Sequence, residues 1–158
     1  RTLRIRESDP LEIFTDREGE IILKKYSPIG EMSTFAKQYA ESLAQVSGQM
    51  MLISDRDQFI AAAGGSKGLL GKGISRQLEE AIGNRENITA SKGDRAFIQV
   101  SEEGDLEYVN EVISPIICEG DVIGAAILLN NDPKGKMGEV EQKLVLSAAG
   151  FLGRQMEQ

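Results

Sequence analysis

The sequence predicts an α+β fold, in which a short β-hairpin precedes a larger domain whose antiparallel sheet carries long helices on one face. Apolar residues recur at helical spacing over residues 29–47 and again over 139–157. Five short apolar runs lie between these two helices. The resulting order is helix, two strands, short helix, three strands, helix, which lets neighbouring strands pair in one antiparallel sheet.

Composition narrows the classes of function. A chain of 158 residues with 41% hydrophobic and 27% charged residues is typical of one folded domain with a small added module. The single cysteine excludes an internal disulfide, and the absence of histidine removes the commonest general base and metal ligand. No apolar run is long enough to span a bilayer. We expect a cytoplasmic protein with no membrane contact, no catalytic residue, no metal and no cofactor.

The pattern of residues 1–26, the first module, predicts two strands joined by the turn "DREG", in which Gly19 can adopt positive φ. Both strands are apolar on both faces, so a second copy of the module is expected to cover them. The net charge of −7 argues against nucleic-acid binding by the whole chain, but Arg1, Arg4 and Arg6 cluster at its start. A local basic surface therefore remains compatible with the acidic total.

The larger domain, residues 27–158, begins at the boundary "SPIG". Its expected strands are "MMLISD", "QFIAAAG", "RAFIQV" and the two halves of "YVNEVISPIICEGDVIGAAILLNN", which join at "EGD". A short helix from Ser75 to Ile82, with Gly83 as its C-cap, separates the second strand from the third.

Alternation along these strands predicts a ligand cavity between the sheet and the glycine-rich loop 64–73. Lys67 or Lys72 of the loop is expected to hold an anionic group. A closed, filled core is the alternative. The loop is not a P-loop, because it departs from G-x-x-x-x-G-K-[ST] at two positions. About one residue in two along the strands should face the cavity, so we expect it to be lined by some of Ile53, Phe59, Ala61, Phe97, Gln99 and Ile113.

Each long helix carries two apolar stripes, and only one of them can face the helix's own sheet. We therefore expect the two helices to form a dimer interface. The alternative is that both stripes are buried within one domain. The expected interface residues are Met32, Phe35, Tyr39, Leu144, Phe151 and Leu152.

Cys118 lies at the end of a strand, just before the "EGD" turn. A reactive thiol needs nearby cations or a helix N-terminus to lower its pKa, whereas the neighbours of Cys118 are Glu119 and Asp121. We interpret it as a packed or edge cysteine, and a reactive thiol is the alternative.

Two stretches resemble known families. "RTLRIRESDPLEIFTDREGEIILKKY" resembles the second half of the swapped-hairpin DNA-binding module of transition-state regulators, with its Arg-rich end, D-x-L-E-I strand, D-x-x-G turn and I-I-L-K-K-Y strand. "SPIICEGDVIGAAILL" resembles part of a GAF sensor domain. In this order, and with the ending "MGEVEQKLVLSAAGFLGRQMEQ", the two are similar to a family of sporulation transcription regulators.

The resemblance implies a bacterial DNA-binding regulator of late (forespore) sporulation genes. Its partner would be double-stranded DNA, contacted through Arg1 by its match to the family and through Arg4, which lies one helical turn away. Interlocked hairpin modules and a GAF dimer imply a homodimer or homotetramer, with an unknown small-molecule ligand for the GAF domain. The resemblance also implies a further strand and an Arg-containing loop upstream of Arg1.

Two other functions stay open. One is a stand-alone GAF module that senses a small molecule or dimerises. The other is a free methionine sulfoxide reductase of GAF fold, which a single cysteine without histidine disfavours.

Overall fold

The structure is a computed structural model, and it describes residues 11–15, 21–25, 33–104 and 106–157. Strands β1 (Leu11–Thr15) and β2 (Ile21–Lys25) pair in an antiparallel hairpin. Leu11 lies opposite Lys25 and Thr15 opposite Ile21. The two strands expected in the first module are therefore present. Arg1, Arg4 and Met32 lie outside the described residues.

A second, five-stranded sheet forms the centre of the larger domain. Its strand order is β4-β3-β7-β6-β5, and every neighbouring pair is antiparallel. The predicted α+β fold is confirmed. The strands are β3 (Met50–Ser54), β4 (Phe59–Ala63), β5 (Ile88–Ser91), β6 (Asn110–Cys118) and β7 (Asp121–Asn130). The α-helices of the described ranges are α1 (Ser33–Ser47), α2 (Arg76–Gly83) and α3 (Glu139–Gln155).

The two long helices lie on the same face of the sheet, as expected. Helix α1 packs over β3 and β4, while α3 packs over β6 and β7. The residues of α1 that face the sheet are Ala36, Ala40 and Ala44, one every four positions, and their small side chains bring the helix close to the strands. We call this side of the sheet the helix face.

The opposite side, which we call the distal face, is covered by α2 and by parts of the connection between β5 and β6. Helix α2 begins after Ser75, whose hydroxyl oxygen accepts the Leu78 N–H at 3.0 Å. Leu78 and Ile82 then pack onto the sheet with Phe59. None of the helices in the described part of the chain is long and apolar enough to cross a membrane.

Glycine allows α3 to touch the sheet backbone directly. A Cβ atom at Gly153 would overlap the carbonyl oxygen of Ile117 on β6. Gly124 on β7 plays the same role inside the sheet, because a Cβ there would overlap the Ser54 carbonyl oxygen. At both positions glycine therefore allows a closer approach between neighbouring elements than any residue with a side chain would.

The strand predicted at 95–100 is absent, and this prediction was wrong. The sheet contains instead the strand β5, which has four residues and ends at Ser91. A turn follows, in which the Ser91 N–H donates to Asp94 Oδ2 at 2.7 Å and the Asp94 N–H donates to the Ser91 carbonyl at 2.9 Å. The turn ends the pairing with β6, so "RAFIQV" crosses the distal face without joining the sheet.

Candidate functional site

Residues 97–100 lie across the distal face, and we call them the strap. The Ile98 N–H donates to Glu111 Oε1 at 2.8 Å, and the Val100 N–H donates to the Tyr108 hydroxyl oxygen, also at 2.8 Å. The Tyr108 hydroxyl in turn donates to the Ile98 carbonyl at 2.9 Å. Two side chains therefore replace the neighbouring strand that would normally satisfy these backbone groups.

The other side of the strap is tied to the start of α2. The Gln99 N–H donates to Gln77 Oε1 at 3.3 Å, and the Ser75 hydroxyl donates to the Gln99 carbonyl. The Ser75 N–H donates to the Val100 carbonyl at 2.9 Å. A displacement of the strap would therefore also act on α2.

Glu111 is the most unusual residue of this region. It lies on β6 opposite Ala90 of β5 and Leu129 of β7, both buried, and it is itself 0% exposed. Glu111 Oε2 has no hydrogen-bond partner among the residues that the structure describes. Burial raises the pKa of Glu111 to about 8, against the smaller opposing effect of the Ile98 N–H. The carboxyl is therefore mainly protonated at neutral pH.

Tyr108 supports the strap from below. Its ring packs against that of Phe97 with 5.4 Å between the ring centroids. Burial, and secondly the nearby Glu111, raises the pKa of Tyr108 above its ordinary value. The hydroxyl therefore stays protonated and keeps its role as a hydrogen-bond donor.

The structure divides the predicted cavity residues between the two faces of the sheet. Phe59 belongs to the distal core, but Ile53 and Ala61 face α1 and α3. The cause is a bulge: Ile53 pairs with Ala61 and Ser54 with Phe59, which leaves Ile60 as an extra residue in β4. The extra residue reverses the alternation, so Ile53 and Ala61 are not among the predicted lining residues that reach the distal face.

The other predicted strand residues lie on the distal side. Ile113 is buried in the distal core, Phe97 is half-buried against it, and Gln99 is exposed on the strap. Phe59 and Ile113 are packed among apolar side chains, as in the alternative of a filled core. A ligand at this place therefore needs the strap to move.

The glycine-rich loop 64–73 is fastened to the sheet. The Ser66 hydroxyl lies 3.0 Å from the carbonyl oxygens of both Met51 and Ala63. Lys67 and Lys72 are exposed, and Lys72 Nζ lies 3.4 Å from Glu103 Oε2. The structure therefore places both lysines at the surface and not against the buried side chains of the distal face.

An open groove of about 320 Å³ lies where α3 passes the free edge of the sheet. Its walls carry no charged side chain. The lining residues are Asn87 just before β5, Ile88 and Thr89 on β5, Val112, Ile113 and Ser114 on β6, and Gln142, Val145 and Leu146 on α3.

Three aromatic residues meet where α1 and α3 run side by side, and we call them the aromatic seam: Phe35, Tyr39 and Phe151. The ring of Phe151 lies 5.5 Å from that of Phe35 and 5.2 Å from that of Tyr39, measured between centroids. Phe35 is 39% exposed, and the other two are half-buried. The seam is therefore only partly covered by its own domain.

The structure separates the remaining predicted interface residues. Leu144 is half-buried at the margin of the helix-face core. Leu152 is completely buried against the sheet, so its assignment to a dimer interface was wrong. The helical period explains the difference, because Leu152 shares the sheet-facing side of α3 with Val145 and Ala148, whereas Phe151 lies about 100° further round the helix.

Cys118 is partly buried at the end of β6. Desolvation, together with the carboxylates of Glu119, Glu157 and Asp121, raises the pKa of its thiol. The reactive thiolate is therefore the minor form at neutral pH, as expected for a packed or edge cysteine.

Sequence reasoning missed Glu111 and Tyr108. A signal for Glu111 is present, because it is the one charged residue in the strand from Asn110 to Cys118, which is otherwise uncharged and mostly apolar. A single carboxyl in a strand buried on both faces indicates a polar group with a specific partner or function. No comparable signal marks Tyr108, whose role depends on the path of the strap.

Comparisons with known proteins place this geometry in a family. The family described as "Stage V sporulation protein T C-terminal, transcription factor" matches residues 31–157. The stage V sporulation protein T of Bacillus subtilis (strain 168) is 50% identical over 159 aligned residues, which cover 100% of this chain and 87% of that protein.

Solved structures support the fold. The GAF domain of an Acinetobacter phosphoenolpyruvate-protein phosphotransferase superposes with a TM-score of 0.61 at 14% identity, covering 84% of this chain and 83% of that one. A type II free methionine-R-sulfoxide reductase from Thermoplasma acidophilum superposes with a TM-score of 0.58 at 11% identity, covering 79% and 94%. At such identities the likeness concerns the fold alone, which is that of a GAF domain. With the family match over most of its length, the chain belongs to the stage V sporulation protein T family.

Proposed function

We propose that the protein is a bacterial, cytoplasmic DNA-binding regulator of late (forespore) sporulation genes and that it is not an enzyme. The observation that carries this proposal is the 50% identity, over the whole chain, to a stage V sporulation protein T. The matching family is described as a transcription factor. One solved neighbour with a similar fold is a reductase. The only cysteine of this chain has a raised pKa, so it does not favour thiolate chemistry here.

DNA binding is assigned to the N-terminal module. An isolated two-stranded hairpin such as β1–β2 is at best marginally stable, so two copies interlock and cover each other's faces. We assign the contacts with DNA phosphates to Arg1 and Arg4, which cluster at the start of the sequence.

A gel-shift comparison of variants tests this assignment. Arg1→Ala is expected to weaken binding about equally across DNA sequences, because a phosphate contact carries no sequence information. Lys37→Ala on the exposed side of α1 is the control and should leave the affinity unchanged. If both variants behave like the original protein, the DNA-binding surface lies elsewhere.

Dimerisation is assigned to the aromatic seam. Phe35 is more than one-third exposed, and Tyr39 and Phe151 are only half-buried, so three rings gain cover when a second copy packs on them. Pairs formed through the seam, combined with pairs formed through the hairpin modules, give a homotetramer.

Light scattering on the 158-residue chain tests the seam. Phe151→Glu and, separately, Phe35→Glu are expected to convert the tetramer to a dimer held by the hairpin modules, because each places a charge in a desolvated apolar contact. Val46→Glu is the matched control, since Val46 is 78% exposed on the same helix as Phe35 and should leave the tetramer intact. Seam variants with the same mass in solution as the original protein would contradict the proposal.

Small-molecule sensing is assigned to the distal face. The strap is held by side chains and is linked to α2 through Ser75, so a ligand that moves the strap also moves a helix. A stand-alone sensor without DNA binding is the competing function, and the gel-shift comparison separates the two.

A further inference from the structure

The carboxyl group of Glu111 is left incompletely satisfied in the closed domain. Oε1 accepts the Ile98 N–H, but Oε2 is inaccessible to solvent and has no partner among the residues that the structure describes. A buried polar atom without a hydrogen bond costs about 1–3 kcal/mol. Such an atom in a native fold calls for a functional explanation.

We propose that the distal face binds a small molecule with a protonated amino or amidino group, which donates a hydrogen bond to Glu111 Oε2 when the strap lifts. The proposal rests on the assignment of small-molecule sensing to this face, and it adds the chemical class of the ligand and the residue that recognises it.

The surroundings of Glu111 favour a cationic donor. Ala90, Leu129 and Ile113 provide apolar walls beside it, and Tyr108 contributes a neutral hydroxyl. A cation paired with the carboxylate offsets the desolvation that otherwise keeps Glu111 protonated. An anionic ligand would instead meet a group of its own sign or a neutral acid, and it would gain no ion pair.

The strap is the element whose displacement gives access. Three of its backbone N–H groups donate to side-chain oxygens, those of Glu111, Gln77 and Tyr108, and not to a strand. Rotation of a side chain breaks such a bond without disturbing the sheet ladder. The half-buried Ile98 lies directly on Glu111, so raising it exposes the carboxyl.

The test uses ¹⁵N-labelled 158-residue protein and two pairs of probes matched in size: butylamine with 1-butanol, and benzylamine with benzyl alcohol. The amines are expected to shift the Ile98 and Val100 amide resonances in a saturable manner. The alcohols should bind at least about tenfold more weakly, which is the effect of one charge-assisted hydrogen bond.

Glu111→Gln is the decisive variant, because its amide oxygen can still accept the Ile98 N–H while the negative charge is lost. It should retain the fold and the Ile98 hydrogen bond, yet lose the preference for amines. Glu107→Gln removes an exposed carboxylate from the same loop and should bind like the original protein.

Three results would each overturn the inference. They are equal binding of amines and alcohols, unchanged amine binding by Glu111→Gln, and no response of Ile98 up to about 10 mM probe, where even a weak site is occupied. None of these results bears on dimer formation or on DNA binding. They therefore reject the ligand class and leave the other parts of the proposed function to their own tests.

Discussion

A single carboxyl group on a buried strand changes how the whole domain responds to pH. Glu111 has a pKa of about 8 in the folded protein, against 4.5 for an ordinary glutamate. The folded state therefore holds a proton that the unfolded chain releases at lower pH. The free energy that this proton contributes to folding is fully present below the pKa of Glu111 in the unfolded chain. It is lost as the pH rises through the pKa of Glu111 in the folded protein.

This linkage gives a prediction at the residue scale. Thermal or urea unfolding of the original protein should show stability decreasing from about pH 5 to pH 9, whereas Glu111→Gln should remove most of this decrease. At pH 9 the variant should be the more stable of the two by an amount on the order of 1 kcal/mol or more.

Glu107→Gln, at an exposed position, is the matched control and should keep the full pH dependence. Parallel pH profiles for Glu111→Gln and the original protein would show that Glu111 is ionised in the folded state at neutral pH.

At the scale of elements, the contact between α3 and β6 depends on the absence of one side chain. Gly153 lies against the Ile117 carbonyl, whereas Gly150, one turn earlier, has only an Arg154 side-chain nitrogen at 3.8 Å from the position of a Cβ. The two glycines belong to the same helix but have different surroundings, so they form a natural pair for comparison.

We expect Gly153→Ala to lower the free energy of unfolding by about 1–3 kcal/mol, because the methyl group forces α3 away from the sheet. Gly150→Ala should instead raise it by about 0.5–1 kcal/mol, the usual gain of replacing glycine inside a helix. Urea denaturation measures both. A neutral or stabilising Gly153→Ala would mean that α3 can shift without loss of packing.

The elements that could be predicted from sequence are those with a long, regular pattern. Helices α1 and α3 and the strands β6 and β7 follow from periodicity and from the turn between Cys118 and Asp121. The short strand β5 could not be distinguished from the strap, because "RAFIQV" is the more apolar stretch. The bulge at Ile60 has no sequence signature either, and it divided the predicted cavity residues between the two faces.

The same limit applies to the candidate site. The half-exposed ring of Phe151 follows from two apolar stripes on one helix, but the complete burial of its neighbour Leu152 depends on how α3 is rotated on the sheet. The pairing of Glu111 with Ile98 joins positions 13 residues apart across an irregular connection. Local patterns do not encode such contacts, which arise from tertiary packing.

At the scale of the whole molecule, the proposed function needs three surfaces: a hairpin module for DNA, the aromatic seam for pairing, and the distal face for a ligand. The chain has a net charge of −7, so its affinity for DNA has to come from the clustered arginines of the first module. Binding of that kind releases counterions from the phosphates and depends steeply on salt.

The decisive measurement is the salt dependence of DNA binding by the arginines of the first module. Gel shifts should be run over a series of salt concentrations for the original protein and for the double variant Arg1→Ala, Arg4→Ala. The original protein should bind with log K falling linearly with log salt by about 0.9 per phosphate contact, and the double variant should bind more weakly and with a shallower slope. Equal affinity and equal slope of the two proteins over the whole salt series would contradict the assignment of DNA binding to the first module.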